Sequence, residues 1–388
     1  MVSFDNTQLA FISKNDAELN KSYLLFKLIS YPTLVNYGGG LAPLALRLGF
    51  KGLLKNTIFK QFIGGENIAD CNQTISQLAK YKIGTILDYS VEGKESETDF
   101  DHCCTETIET IHRAKNDSNI PFCVFKVTGL ARLDLLEKVS SGTGLSASET
   151  DEFNRVKERV RKICEEAFNN NKPLFIDAED SWIQKAIDDL ANENMAAFNK
   201  KSAIIYNTFQ LYRKDRLNYL KQSFEVGKAN GYFIGAKLVR GAYMEKERER
   251  AIQKNYPSPI NNTKEDSDRD YDLALEFCVE HIDRIGLCAG THNEKSSMHL
   301  VNLMAKKNIP SNDQRIYFSQ LLGMSDHISY NLSQGGYNVA KYVPYGPVKE
   351  VLPYLIRRAQ ENTSVKGQTG RELSLIMKEK ERRKTVKK

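Results

Sequence analysis

The chain has 388 residues, 41% of them hydrophobic and 10% aromatic, enough to bury two average domains or one large α/β barrel. Five of its six net positive charges fall on residues 371–388 (RELSLIMKEKERRKTVKK), so the nearly neutral body lacks the footprint of a nucleic-acid groove binder. Seven cysteines without CxxC and six histidines without HxH or HxxxH give no disulfide framework and no metal site.

Residues 16–63 read as helices. DAELNKSYLLFKLIS offers Asn15 or Asp16 as N-cap and spaces apolar residues at Leu19, Tyr23, Phe26 and Leu28. YPTLVNYGGG interrupts it. LAPLALRLGFKGLLKNTIFKQF then sets Arg47, Lys51, Lys55 and Lys60 among leucines, a basic amphipathic arm that packs on the main domain or rests on a membrane surface. No apolar run approaches the ~20 residues that span a bilayer, and the N-terminus has no signal or transit character. The expected location is cytoplasmic, or peripheral on the inner face of a membrane.

From residue 80 the chain becomes regular. Runs rich in Val, Ile and Phe recur as IGTILDY (83–89), FCVFKVT (122–128), PLFIDA (173–178), SAIIYNTF (202–209), YFIGAKLV (232–239), GLCAGTH (286–292), RIYFSQ (315–320) and YNVAKYV (337–343). Helix-length amphipathic segments separate them, among them ETDEFNRVKERVRKICEEAF and SWIQKAIDDLANENMAAF, and Cys103 and Cys104 read as opening a helix. Alternating strands and helices mean crossover units and a parallel sheet. Eight units, closed by a helix beginning near residue 347, predict an α/β fold, a (β/α)8 TIM-like barrel. Its expected organisation is an N-terminal helical arm over 1–80, the barrel over 81–362 with a displaced last helix, and a basic, solvated C-terminal tail over 363–388.

Barrel active sites gather at the carboxyl ends of the strands, and polar residues fall there in this chain. In order they are Asp88 and Glu92, Lys126, Asp177, Gln210, Lys237 with Arg240, Thr291 with His292 and Asn293, Ser319 with Gln320, and Tyr342. A buried unpaired lysine is costly, so Lys126 and Lys237 need partners or a task; Lys126 with Asp177 is the expected ion pair. Arg357 and Arg358 follow on the last helix. Neighbours on a helix point about 100° apart, so the pair is either a solvated face with Glu361 as partner or a grip on one anion. To keep both near the mouth, the helix must break at Pro353 or be displaced. An arginine pair suits a carboxylate. No GxGxxG follows a strand and no phosphate loop occurs. The residues leave two chemistries open: a Schiff-base enzyme such as an aldolase, with Lys126 or Lys237 as nucleophile, and a cofactor enzyme acting on a small carboxylated molecule.

KLVRGAYMEKER (237–248), AGTHNEKS (289–296) and YVPYGPVKEVLPYLIRRAQEN (342–362), supported by IDAED (176–180), FKVTGL (125–130) and FQLYRKDR (209–216), resemble the motifs of proline dehydrogenase. The likeness runs from about residue 80 to the end of the last helix. It implies FAD as cofactor and oxidation of L-proline to Δ1-pyrroline-5-carboxylate, with hydride passing from C5 to flavin N5. By the same resemblance Arg357 and Arg358 clamp the substrate carboxylate, and Glu92 pairs with Arg357. Tyr342 closes over the ring; related hydroxyproline enzymes usually carry serine there. Lys126 and Asp177 match the substrate-side lysine and aspartate, and Lys237 the cation facing N5, an arginine in many bacterial relatives. Ala178, Gln210, Arg240, Gly241, Ala242, Thr291, His292 and Asn293 match positions that hold the flavin, and Lys264 a contact toward its adenosine end. Met244 stands where bacterial bifunctional members have tryptophan. The family implies a membrane quinone as electron acceptor. With no room for an aldehyde dehydrogenase module, a separate pyrroline-5-carboxylate dehydrogenase is expected downstream. Hydroxyproline oxidation and the aldolase are the alternatives.

Overall fold

The computed structural model describes residues 2–31, 58–91, 95–364 and 368–386. The leading helices are α1 (Thr7–Ala10), α2 (Asp16–Ile29), α3 (Lys60–Phe62) and α4 (Asn72–Ala79). Then come β1 (Ile83–Tyr89), α5 (Glu97–Ala114), β2 (Phe122–Lys126), α6 (Leu133–Ser141), α7 (Ala147–Asn169), β3 (Leu174–Asp177), α8 (Ser181–Phe198) and β4 (Ile205–Gln210). Next are α9 (Arg216–Ala229), β5 (Ile234–Val239), α10 (Met244–Lys254), α11 (Lys264–Glu280), β6 (Ile285–Gly290), α12 (Glu294–Lys306) and β7 (Ile316–Leu321). The chain continues through α13 (Asp326–Gln334), β8 (Val339–Tyr345), α14 (Val348–Ser364) and α15 (Gln368–Val386). The eight strands close in chain order into a barrel, as the alternation predicts. Two compact units divide the chain, Gly93–Ser319 and Met1–Glu92 with Gln320–Lys388.

In the unit Gly93–Ser319, strands β2 to β7 pair in parallel. Phe122 stacks on Phe175 with centroids 4.4 Å apart, and Tyr206 and Tyr317 meet Phe122 edge-on, so four rings form one packed layer. Glycines make room for it: a Cβ on Gly286 would lie 2.3 Å from the Tyr206 hydroxyl, and one on Gly235 2.6 Å from the Tyr206 ring. Strand β4 starts three residues later than its apolar run suggests, because the Asn199 amide oxygen accepts from the N–H groups of Ile204 and Ile205. Ser96 caps α5 six residues upstream of where the cysteines suggest, which puts Cys103 and Cys104 inside the helix on its buried face.

In the other unit, β1 and β8 pair from Ile83↔Val339 to Tyr89↔Tyr345. Asn15 and Glu18 form a reciprocal capping box that starts α2. Helix α14 runs through Pro353 without a break. Its apolar side, Val348, Val351, Tyr354 and Leu355, packs with Ile29, Phe59, Phe62 and Ile63 of the arm. The C-terminal segment is not simply solvated. Leu375 and Ile376 of α15 are buried against Ala10, Phe11, Leu19 and Phe26, and Arg383 donates to Asp16 at 2.9 Å and to the Phe11 carbonyl at 3.0 Å. The basic residues of the arm at 47, 51 and 55 lie outside the described residues, and no described helix is long and apolar enough to cross a membrane.

Candidate active site

Alternation along the strands decides which side chains share a face. On β3, Phe175 and Asp177 share a side; on β5, Gly235 and Lys237 do. The result is a buried ion pair: Lys237 Nζ donates to Asp177 Oδ1 at 2.5 Å and sits 5.3 Å from the Phe175 ring centroid. The pair therefore lies over the aromatic layer, at the carboxyl ends of its strands. Lys126, the expected partner of Asp177, is its register neighbour on β2. The ion pair with Lys237, which the sequence did not announce, spans the intervening strand β4, where the small Thr208 stands in register with Lys237 and bonds the Ile176 carbonyl. In register with Lys237 on β6, the Cys288 thiol donates to Ser319 Oγ at 3.3 Å. Burial pushes this thiol up to about 11, against the hydrogen bond to Ser319, so at neutral pH it is no thiolate nucleophile.

A second cluster forms where β5 and β6 end. The Arg240 guanidinium donates to Asp268 Oδ1 at 2.6 Å, Thr291 Oγ1 at 3.0 Å and Ser296 Oγ at 2.9 Å, and lies 4.2 Å from the Tyr271 ring centroid. Lys264 donates to the other oxygen of Asp268. Burial raises the Tyr271 phenol, although Arg240 opposes this, so its hydroxyl stays protonated. Thr291 Oγ1 also accepts from the Asn293 N–H at 3.1 Å, and Asn293 caps α12 by accepting from Lys295 and Ser296. Gly241, next to Arg240, has φ +97°, an angle that favours glycine, while a Cβ there would meet no atom within 4 Å. Ala242 is exposed and His292 half-buried beside these residues in the chain.

Gln210 is buried and donates to the Glu179 carbonyl at 2.7 Å and the Tyr212 hydroxyl at 2.8 Å. Glu179, next to the buried Ala178, accepts from the N–H of Thr128 at 3.0 Å and from its hydroxyl at 2.5 Å. Sequence reasoning missed Glu179, Asp268, Tyr271 and Ser296. Glu179 lies inside the IDAED run, and Asp268 is four residues after Lys264 on one helix face; neither signal names its distant partner.

In the unit holding β8, Tyr342 is buried and its carbonyl accepts from Leu322 N–H at 2.8 Å. The adjacent Lys341 turns to Asp326 at 2.9 Å, so alternation aims Tyr342 to the opposite side of the strand. Asp88 accepts from Ser90 Oγ at 2.6 Å. Arg357 and Arg358 are half-buried on α14, with the Arg358 guanidinium 5.2 Å from the Tyr354 ring centroid. Glu92 lies outside the described residues.

The donor set suits a flavin dinucleotide. A buried ammonium stands over the aromatic layer at strand β5, and two cations and a threonine hydroxyl, near the exposed Ala242, are donors of the kind a phosphate takes. Comparison with known proteins gives the family. A family model described as proline dehydrogenase matches residues 71–371. The chain is 33% identical to the carbapenem antibiotics biosynthesis protein CarD of Pectobacterium carotovorum, over 86% of each chain. It is 34% identical to the mitochondrial proline dehydrogenase 1 of Dictyostelium discoideum, covering 97% of this chain and 74% of that one. To the hydroxyproline dehydrogenase of Xenopus laevis it is 30% identical, covering 96% and 88%. A solved structure of proline utilization A from Bdellovibrio bacteriovorus, inactivated by N-propargylglycine, shares the fold with a TM-score of 0.73 at 21% identity. The match covers 92% of this chain, which spans 38% of that one. Enzymes with this family's match are generally flavin-dependent, and by that match this chain belongs to the proline dehydrogenase family.

Proposed function

We propose that the protein oxidises L-proline to Δ1-pyrroline-5-carboxylate with FAD as cofactor. The observation that carries the reading is the family match over residues 71–371, which spans both polar clusters and the arginine pair. Arg357 and Arg358 take the substrate carboxylate, since planar guanidinium groups bind a carboxylate through paired N–H donors. Tyr342 covers the pyrrolidine ring and excludes water. Lys126 and Asp177 hold the substrate amine and its proton, because the nitrogen lone pair must be free to drive loss of hydride from C5. The flavin, when bound, accepts that hydride. Lys237 supplies fixed positive charge where negative charge develops, the kind of preorganised electrostatics that lowers a barrier most. Arg240, Lys264, Thr291, Asn293, Gly241, Ala242, Ala178, Gln210 and His292 hold the cofactor, and Glu92 steadies Arg357.

The electrons then leave to a membrane quinone, with the protein peripheral on the membrane, and a separate dehydrogenase oxidises the product. Hydroxyproline is the second substrate to weigh, because a relative of similar length bears that name; Tyr342, in place of the serine usual in such enzymes, favours proline. The test is direct. The purified protein should be yellow, and anaerobic L-proline should bleach its flavin band while hydroxyproline bleaches it more slowly. A colourless protein, or a band untouched by proline, would end the proposal.

A further inference from the structure

Arg240 is built into its position more tightly than contact with a phosphate alone would require. Its contacts to Asp268, Thr291 and Ser296 take three of the five guanidinium N–H groups, leaving two for a ligand. Tyr271 fixes the plane from one side. Both Asp268 and Tyr271 project from α11, whose start is set by a capping box between Thr263 and Asp266. Asp268 divides its two oxygens: Oδ1 accepts from Arg240 and Oδ2 from Lys264. Two cations that would repel one another are thereby held on a single carboxylate, and the group of three keeps one net positive charge. Lys264 is exposed, so its pairing with Asp268 contributes little to stability; the geometry it imposes is the more useful product.

We infer that Asp268 is a positioning residue for the cofactor: by holding Arg240 and Lys264 side by side it fits this corner to the two phosphoryl groups of a dinucleotide. The inference rests on the reading of Arg240 as a cofactor contact. A carboxylate this close to a diphosphate repels it directly, so the two effects of Asp268 oppose each other and the sign of a substitution separates them. If orientation dominates, removing the carboxylate weakens binding. If repulsion dominates, removal tightens it.

The experiment titrates the flavin-stripped full chain with FAD and, separately, with riboflavin, which has no phosphate, following flavin fluorescence. Asp268→Ala should weaken FAD about tenfold, the loss of roughly one charge-assisted hydrogen bond, while riboflavin affinity stays unchanged. Asp268→Asn, whose amide oxygen still accepts from Arg240, should fall between. FAD binding that is unchanged or tighter in Asp268→Ala overturns the inference. So does an equal loss for FAD and riboflavin, which is what a merely structural defect produces. Arg240→Ala is the control and should weaken FAD in the same selective way. If it does not, the reading of Arg240 fails and takes the inference with it. If Arg240→Ala responds and Asp268→Ala does not, only the inference falls.

Discussion

Replacing Asp177 by alanine takes from the buried Lys237 ammonium the carboxylate 2.5 Å away. Both side chains are largely out of water, at 7% and 12% exposure, so solvent screens the pair weakly. Removing one member of such a pair costs about 3–5 kcal/mol, because the remaining charge stays in a poorly solvating interior. For a unit of this size that corresponds to a drop in Tm of about 6–20 °C. Calorimetry on the flavin-stripped protein reads it without the contribution of bound cofactor. The double variant Asp177→Leu/Lys237→Met removes both charges and should melt close to the unaltered chain, since apolar replacement of a buried pair is often neutral. Neither variant should turn over proline, so stability and activity separate. A Tm within about 2 °C of the parent for Asp177→Ala, or a double variant as unstable as the single one, refutes the reasoning.

Arg357→Met should raise the proline KM about 10- to 150-fold, the range for hydrogen bonds to a charged group, with flavin content unchanged; an unaltered KM removes Arg357 from the clamp. Tyr342→Ser should shift the ratio of kcat/KM values toward hydroxyproline, and an unmoved ratio shows that Tyr342 does not read the ring. Gly286→Ala should destabilise by about 1–3 kcal/mol through overpacking against Tyr206, and Tyr206→Phe in the same chain should restore part of it in urea unfolding. Glu379 is pulled upward by burial but held below the usual glutamate range by Arg382 and Arg383. A carboxylate with a depressed folded value stabilises above its unfolded value and loses that contribution as pH falls through the folded one. Acid should therefore loosen α15, read as amide exchange of that helix, and Glu379→Gln should flatten the pH dependence; an unchanged profile argues against this linkage.

Strand number and order were legible because each strand is a short apolar run bounded by a helix of different period, and β1 matches its run from Ile83 to Tyr89. Strand ends were less so where a side chain competes for the backbone, as Asn199 does ahead of β4. The arm and α15 show the same limit. The run around Leu375 and Ile376 is too short to announce burial, and its partners Phe11, Leu19 and Phe26 lie more than three hundred residues away. At the candidate site, the polar strand ends could be found by position, but their partners could not. Sequence adjacency of strands suggests Lys126 for Asp177, but nothing in the sequence says that Lys237, two strands away, reaches that carboxylate past Thr208. Asp268 and Tyr271 sit in an ordinary charged helix, and only the fold turns that face toward Arg240.

The seating of α15 on α1 and α2 has a consequence for biosynthesis. A chain leaves the ribosome N-terminus first, so Phe11, Leu19 and Phe26 emerge long before Leu375 and Ile376 exist to cover them. The edge of β1 likewise waits for β8, its hydrogen-bonded neighbour over seven residues. Until that stretch is translated, the nascent protein carries an uncovered apolar helix surface and an open strand, the surfaces that chaperones recognise and that premature termination would leave permanently bare.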